Sequence, residues 1–499
     1  MKEIVIFWCR REFRLQDNPS LYEAMQYAKT NDLEFLPIFI LDTNILLNPS
    51  LNIGHPRKYY LSKIIGEFSS KFKNFTVFKT TDPKEVFTIL SGKYKLKIFA
   101  NFDIEPYAIH RDKEIKALLE QSESSLKILP DQLSIDYNLK TTTGNFYSVF
   151  TPFRNAVFEK FINVKIYPLS IPNEAKNFTA FNDLKPLNFW CQDDYKDSQT
   201  LSELVFKLID SSWILRFKPH VLNQENNFLE INLDSLFPRP DLGIWYFNEE
   251  EALSRFDNFV SSRIEKYRLD RDFLEMDFLE IGATSRISPA LKWGLVSART
   301  LTNIVKNRFL DIKSNEAVFT FISELIWREF YKYLLFHNPK LLDLEFQIKY
   351  QNKIEWVDDL EAQSRFVAWI KGETGYKLVD ACMNQIKGTG WMHNRGRMVV
   401  GSVLCKNLGV DWRWGQDYFR ALLVDLDEAS NNGGWQWSAS TGADPKPIRI
   451  FNPYLQAKNY DSSEKFVKLW LPQDYNITTP IIEHTKAREE ALKRYGLVR

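Results

Sequence analysis

Cysteine is scarce: the 499 residues hold four, Cys9, Cys191, Cys382 and Cys405. None sits in a C-x-x-C pair or near a His-x-x-x-His, which argues against structural zinc and for free thiols in a reducing compartment. No metal site is expected. Charge of one sign is also lacking. A formal net charge of +1 gives no global pull on polyanions, so nucleic-acid binding must come from a local basic patch. Long apolar runs are missing too. Ile4–Trp8, next to Met1, is far too short for a secretion signal, and nothing uncharged approaches the ~18 residues of a membrane span. The expectation is a soluble, cytoplasmic (or nuclear) monomer without a membrane partner. No internal repeat or low-complexity tail is visible. Nor does G-x-G-x-x-G follow the first apolar run. Cys9-Arg-Arg-Glu-Phe-Arg-Leu-Gln-Asp-Asn18 stands there instead, which disfavours an ordinary nicotinamide-binding domain.

What is present suggests two unlike halves. A chain of 499 residues exceeds one ordinary core, and about two or three domains are expected. Short apolar runs at Ile4–Trp8, Phe35–Leu41, Thr76–Phe78, Lys97–Ala100 and Leu126–Leu129 alternate with helical patterns at Ser20–Lys29, Arg57–Lys73 and Arg111–Glu120. This alternation predicts a doubly wound parallel sheet over 1–131. Over 132–205 proline, asparagine and lysine are frequent and periodicity is poor, so a long surface linker is expected, with one helix at Tyr147–Phe161. Residues 206–485 read as helical, with periodic stretches at Glu249–Tyr267, Pro289–Lys306, Asn315–Leu335 and Leu360–Lys371. Residues 486–499 form a tail, within a short charged helix over Ile481–Arg499. The fold class is therefore α/β plus all-α.

Three stretches carry chemistry. In Gly282–Pro289, Thr284, Ser285 and Ser288 stand beside Arg286 just before a proline-opened helix; they could hold phosphate or simply cap the helix. In Ser323–Tyr331, Glu324, Trp327, Arg328 and Tyr331 share a helical face that could stack and hydrogen-bond a polar ring, or be a solvated ion pair beside a core indole. In Gly390–Trp437, Asn394 and Met398 share one face, and Asp427 and Asn431 another. A neutral amide such as Asn431 can both accept from and donate to a ring nitrogen whose protonation changes with redox state. Aromatic residues, 15% of the chain, are ample for stacking, though most must fill the core.

GATSRISP, ELIWREFY, GWMHNRGRM and DLDEASNNGGWQWSASTGADPKPIRIFNP, in this order behind RREFRLQDN, resemble the photolyase/cryptochrome family. The resemblance runs from the first strand to about Pro472 and is strongest over 267–460. It implies an N-terminal Rossmann-like antenna domain, a linker, and a helical domain holding FAD, active as FADH⁻. It also implies residue roles. Tyr267, Thr284, Ser285, Arg286, Ile287, Ser288, Arg397, Asp425, Asp427 and Asn431 match flavin-binding positions. Trp435, Trp412 and Trp356 match a photoreduction chain from flavin to surface. Glu324 and Asn394 match residues that hydrogen-bond the damaged base, Trp327 and Trp437 an aromatic wedge, and Met398 the lining of its face. Glu324, Trp327, Arg328, Tyr331, Asn394, Arg395 and Gln456 form the expected DNA-binding set.

Asn394 with Met398 resembles class I cyclobutane pyrimidine dimer photolyases. The (6-4) photolyases have histidines near Asn394, and plant and many animal cryptochromes have Asp or Cys at Asn431. The implied function is light-driven splitting of pyrimidine dimers in UV-damaged DNA. The alternatives are a cryptochrome-like blue-light photoreceptor, against which the absence of a long C-terminal extension also counts, and a light-independent flavin oxidoreductase. Two departures stand out. Ala108 replaces the glutamate of folate-binding relatives, which disfavours a folate antenna and leaves a deazaflavin, another flavin, or none. Gly396 stands where some relatives have leucine.

Overall fold

Each of the five apolar runs becomes a strand, and the computed structural model orders them β5–β4–β1–β2–β3 in one sheet. They are β1 (Glu3–Cys9), β2 (Glu34–Asp42), β3 (Thr76–Thr80), β4 (Lys95–Asn101) and β5 (Ser125–Leu129), all parallel. Ile6 lies opposite Leu36 on one side and Ile98 on the other. Successive β1 residues alternate between two cores. Val5, Phe7 and Cys9 pack with residues of the helices Pro19–Thr30 and His55–Ser69, and Ile4, Ile6 and Trp8 with residues of Pro83–Ser91 and Pro106–Glu120. Covered on both faces, the strands read as unbroken apolar runs. The structure describes residues 1–496 except 49–50, 133, 185–186, 192–193, 195–196, 211, 213, 218–228, 237, 278–281 and 444–447.

The stretch expected as a surface linker is woven into this layer. It carries the expected helix, at Phe150–Ile162, but then β6 (Lys176–Asn177) pairs with β2 and β7 (Phe189–Trp190) runs antiparallel to β3. Two-residue strands are too short to show an alternation in sequence. Beyond them the helix Ser198–Ile209 packs on His55–Ser69.

Among its described residues the second half is helical apart from one antiparallel pair of short strands, Ile214–Phe217 and Leu229–Asn232. The helix expected over Pro289–Lys306 is two, Ser288–Trp293 and Ala298–Arg308. Gly294 breaks it with φ +63°, and a Cβ there would lie 2.2 Å from the Arg11 carbonyl oxygen. The break thus lets the helical half meet the end of β1. The helix Glu316–His337, capped by Asn315, runs through the helical core. Among the described residues no helix is long and apolar enough to cross a membrane.

Buried charge joins the halves. Arg299 donates from Nε to Asp17 Oδ2 at 2.8 Å and from Nη2 to Asp131 Oδ1 at 2.6 Å. Arg14 shares the same Asp131 oxygen and also donates to the Gly294 carbonyl at 3.2 Å. Glu249 accepts from the backbone N–H groups of Leu15 and Gln16 at 2.7 and 3.0 Å. Burial alone would raise the Asp131 pKa, but Arg14 and Arg299 hold it down at about 2. Its contribution to stability is therefore fully present above the ordinary 3.8 and is lost as pH falls through about 2. Arg299→Met should cost about 3–5 kcal/mol in denaturant unfolding at neutral pH, because it leaves the buried Asp17 carboxylate without a counter-charge and Asp131 with Arg14 alone. A loss below about 1 kcal/mol, the scale of a surface pair, would show that the joint is not held this way.

Candidate functional site

Two helix starts meet inside the helical half. His393 caps Asn394–Ser402, its Nδ1 accepting from Arg395 N at 3.1 Å. Asp427 caps Glu428–Ser438, accepting from Ser430 N at 3.0 Å. From the first helix Arg397 donates to Asp425 Oδ2 and to the Met392 carbonyl, both at 2.8 Å. From the second, Asn431 donates its Nδ2 to the Gln416 carbonyl at 3.1 Å. That leaves Asp425 Oδ1 and Asn431 Oδ1 buried without a hydrogen-bond partner in the protein. Each such acceptor costs about 1–3 kcal/mol unless something donates to it. The pair fits a flat ring carrying N–H groups, as a flavin does.

The 282–289 loop closes on the same wall. Trp391 Nε1 donates to Ser288 Oγ at 3.3 Å, and the Arg286 guanidinium lies 5.8 Å from the Trp391 ring centre. Arg286 takes a left-handed φ of +49°, and its carbonyl accepts from Tyr246 at 2.7 Å. Ser285 and Ile287 are buried, Thr284 and Ser288 half-buried, and Tyr267 stands edge-on to Phe259 and Phe321. Trp391 and Tyr246 carry no spacing signal of their own; only their contacts bring them into the wall. Asp427 is ion-paired to Lys332 at 3.2 Å. Burial opposes its ionisation, but Lys332, Arg328, Lys292 and Arg11 hold its pKa far below the carboxylate range.

The mouth draws on five helices, Phe150–Ile162, Glu316–His337, Asn394–Ser402, Glu428–Ser438 and Pro453–Tyr460, and on loop residues between them. Glu324, on Glu316–His337, accepts from the Arg271 guanidinium. Trp327 stacks face to face on Phe150, ring centres 3.5 Å apart and 8° from parallel, with Tyr331 5.4 Å away. Tyr331 in turn lies on Gly433, where a Cβ would come within 2.1 Å of its ring, so that glycine sets how closely the Glu324 helix approaches the Asn431 helix. Asn394 is exposed, with its amide 3.8 Å from Met398 Sδ. Trp437 meets Phe451 edge-on, and the Arg449 guanidinium sits 5.3 Å from its ring. Arg395 pairs with Asp272 at 2.8 Å and lies 4.2 Å from the Tyr460 ring, while Gln456 Oε1 is buried without a partner. Arg328 does not join this group. It donates to the Gln132 carbonyl and to Glu329, both at 3.2 Å, because the domain joint and Asp427 draw it inward. Arg271, Asp272 and Tyr460 had no signal in the sequence, since their partners lie on other elements.

Of the three tryptophans, Trp435 and Trp412 are buried and Trp356 is partly exposed. Trp435 packs on Phe419 and Trp369, Trp412 donates to Glu345 at 3.3 Å, and Trp356 meets Tyr495 edge-on.

A second polar cluster lies where the halves meet, and nothing in the sequence marks it. Arg57, in the first turn of His55–Ser69, is buried, and its Nε and Nη2 have no partner. Burial pushes its pKa down to about 10, with Glu428, Arg420 and Glu105 as its charged neighbours. Lys292 is likewise lowered by burial and by Arg11. Arg11 itself pairs with Glu105 at 2.7 Å and Asp103 at 2.9 Å. Ala108 sits on the buried face of Pro106–Glu120 and supplies no polar group. Among the described residues no group of three His, Cys, Asp or Glu side chains could hold a metal ion.

Comparison with known proteins accounts for both halves. Residues 5–173 match the family model described as DNA photolyase, and 321–498 the one described as the FAD binding domain of DNA photolyase. A deoxyribodipyrimidine photo-lyase of Synechococcus sp. is 33% identical over 94% of this chain and 88% of its own length. The crystal structure of a bacterial class III photolyase from Agrobacterium tumefaciens superposes with a TM-score of 0.78 at 28% identity, covering 99% of this chain and 98% of that one. An archaeal photolyase from Sulfolobus tokodaii, solved with two FAD molecules, gives 0.74 at 26% identity, covering 99% of this chain and 100% of that one.

Gly396 now has a packing reason. A Cβ there would lie 3.0 Å from Cys382 Sγ and 3.1 Å from Met392 Cγ. Gly396→Leu should therefore destabilise the protein by about 1–3 kcal/mol through overpacking. Cys382→Ala in the same chain should recover part of that loss in thermal unfolding. Equal stability of Gly396→Leu with and without Cys382→Ala would mean that this contact is not the constraint.

Proposed function

The chain belongs to the DNA photolyase family, and from that premise we propose that it is a deoxyribodipyrimidine photo-lyase acting on cyclobutane pyrimidine dimers in DNA. The observation that carries the reading is the pair of orphaned oxygens, Asp425 Oδ1 and Asn431 Oδ1, beside the helices Asn394–Ser402 and Glu428–Ser438, which also carry Asn394, Met398 and Trp437. Asn394 and Met398 support the class I resemblance. Bound FAD would supply light-driven one-electron chemistry for opening the cyclobutane ring, with the electron returned at the end. The protein's own residues bind and orient. Asn431 and Asp425 would accept from ring N–H groups, Arg397 holds Asp425 in place, and Tyr267 with Thr284, Ser285, Arg286, Ile287 and Ser288 would line the rest of the site beside Asp427. Enzymes that act on a base inside a duplex, photolyases among them, take it out of the stack. Here Trp327 and Trp437 would flank the extruded dimer, Met398 cover its face, and Glu324 and Asn394 hydrogen-bond its polar edges. Arg395 and Gln456 would position the backbone.

A photoreceptor on the same fold would need no such polar mouth beside the flavin wall, so repair is the better reading. Chemically reduced holoenzyme should restore a thymine-dimer oligonucleotide under blue light and not in the dark; no repair in the light would defeat the proposal. Trp435→Phe should block light-driven reduction of oxidised flavin and leave repair by chemically reduced enzyme nearly intact. Equal loss of both would remove Trp435 from the electron path.

For a second chromophore we propose the Arg57–Lys292 cluster at the domain joint. Its free guanidinium donors suit a planar, acceptor-rich ring of flavin or deazaflavin type, and a relative that holds two FAD molecules lends support. Arg57→Leu removes a buried group without a partner, so the fold should tolerate it. Its purified protein should lose the second chromophore's absorption and keep that of FAD. Unchanged absorption would place the chromophore elsewhere or show that there is none.

A further inference from the structure

Glu324 is held at one end of a chain of charges. Arg271 Nη1 donates to Glu324 Oε1, and Arg271 Nε stands 4.0 Å from Asp272 Oδ1. Asp272 pairs through its other oxygen with Arg395 at 2.8 Å, and Arg395 rests on the Tyr460 ring. Arg395 Nε is buried without a partner, so this guanidinium has a donor to spare. The Glu324 and Arg271 side chains are 34% and 23% exposed, open enough for a ligand to reach both. Burial disfavours the charged form of Arg271, but the Glu324 carboxylate more than offsets it and holds its pKa above the usual arginine value. Arg271 therefore has one anion in hand and will exchange it only for another.

We propose that Arg271 is a positioning residue that clamps Glu324 until a backbone phosphate of the substrate takes its place. The inference rests on the dimer-repair reading. A phosphate beside the lesion offers Arg271 and Arg395 a bidentate, charge-matched acceptor in exchange for Glu324 and Asp272. Released, the Glu324 carboxylate can accept from the N–H edge of the extruded base. A dimer without phosphates offers nothing to Arg271, and it must compete with the ion pair for the Glu324 carboxylate. Backbone and lesion are thus read together, because binding one lowers the cost of binding the other.

The test compares two substrates under blue light with chemically reduced holoenzyme: a thymine-dimer oligonucleotide and the free cyclobutane thymine dimer base, which has neither sugar nor phosphate. Arg271→Ala, and Arg271→Gln which keeps side-chain length, should weaken oligonucleotide binding and reduce its log–log salt slope by about 1. The same variants should lower KM for the free base by roughly two- to fivefold, the range of a partly exposed ion pair. In a Glu324→Gln background, where no ion pair exists, Arg271→Ala should bring no such gain. If the Arg271 variants lose activity on both substrates in proportion, or if the gain persists with Glu324→Gln, the clamp is refuted while dimer repair stands. If wild-type enzyme repairs neither substrate, the repair reading falls and the clamp with it.

Discussion

The structure depends on a carboxylate shared by two arginines with almost no water around them. Asp131 accepts from Arg14 and Arg299, and Arg299 also holds Asp17, which is 0% exposed. Charges so placed are costly unless every partner is present, which makes the joint unforgiving in geometry. Arg14 comes from the loop after β1, Asp131 from just past β5, and Arg299 from the helix after Gly294. The strand ends of the α/β half are thereby locked to one corner of the helical half. That corner carries the 282–289 loop, Lys292 and, through Arg11 and Lys332, the electrostatic surroundings of Asp427.

Both candidate ligand positions follow from this locking. The flavin wall is internal to the helical half, where caps and one ion pair satisfy most polar groups and leave two oxygens over. The Arg57 cluster exists only because the halves meet: its charged neighbours Glu428 and Arg420 come from one half and Glu105 from the other. One half can therefore hold its ring alone, while the other position needs the joint intact.

What the sequence made legible was periodicity and order. Buried parallel strands announce themselves as apolar runs, so β1 to β5 fall where the runs do. The short additions β6 and β7 stay hidden because two residues carry no period. Gly294 looked like one more residue inside a periodic stretch; its break is imposed by the approach of Arg11, a tertiary contact. At the site, helical spacing grouped Asn394 with Met398, and the structure keeps them together. The same spacing grouped Arg328 with Glu324, and there it failed. A long guanidinium can leave its own helix face, and Asp427 and the Gln132 carbonyl offer it more than the mouth does. Arg57, Arg271 and Asp272 were invisible for one reason: each owes its role to partners that are far away in sequence.

The stack of Trp327 on Phe150 adds a directional constraint. At 3.5 Å and 8° the Phe150 ring lies over one face of the indole, which directs an entering base to the other face or the edge. Phe150 opens the helix Phe150–Ile162, in the stretch between β5 and β6, so a segment from outside the helical half backs the aromatic wall of the mouth. Helix Glu316–His337 then presents Glu324 and Trp327 three residues apart, on adjacent positions of one face. A ring entering against the indole face away from Phe150 arrives beside the carboxylate that Arg271 holds. Steric access and the ion pair thus act at the same place. The covered face selects the side of entry, and the state of Glu324 decides whether the base that enters there finds an acceptor.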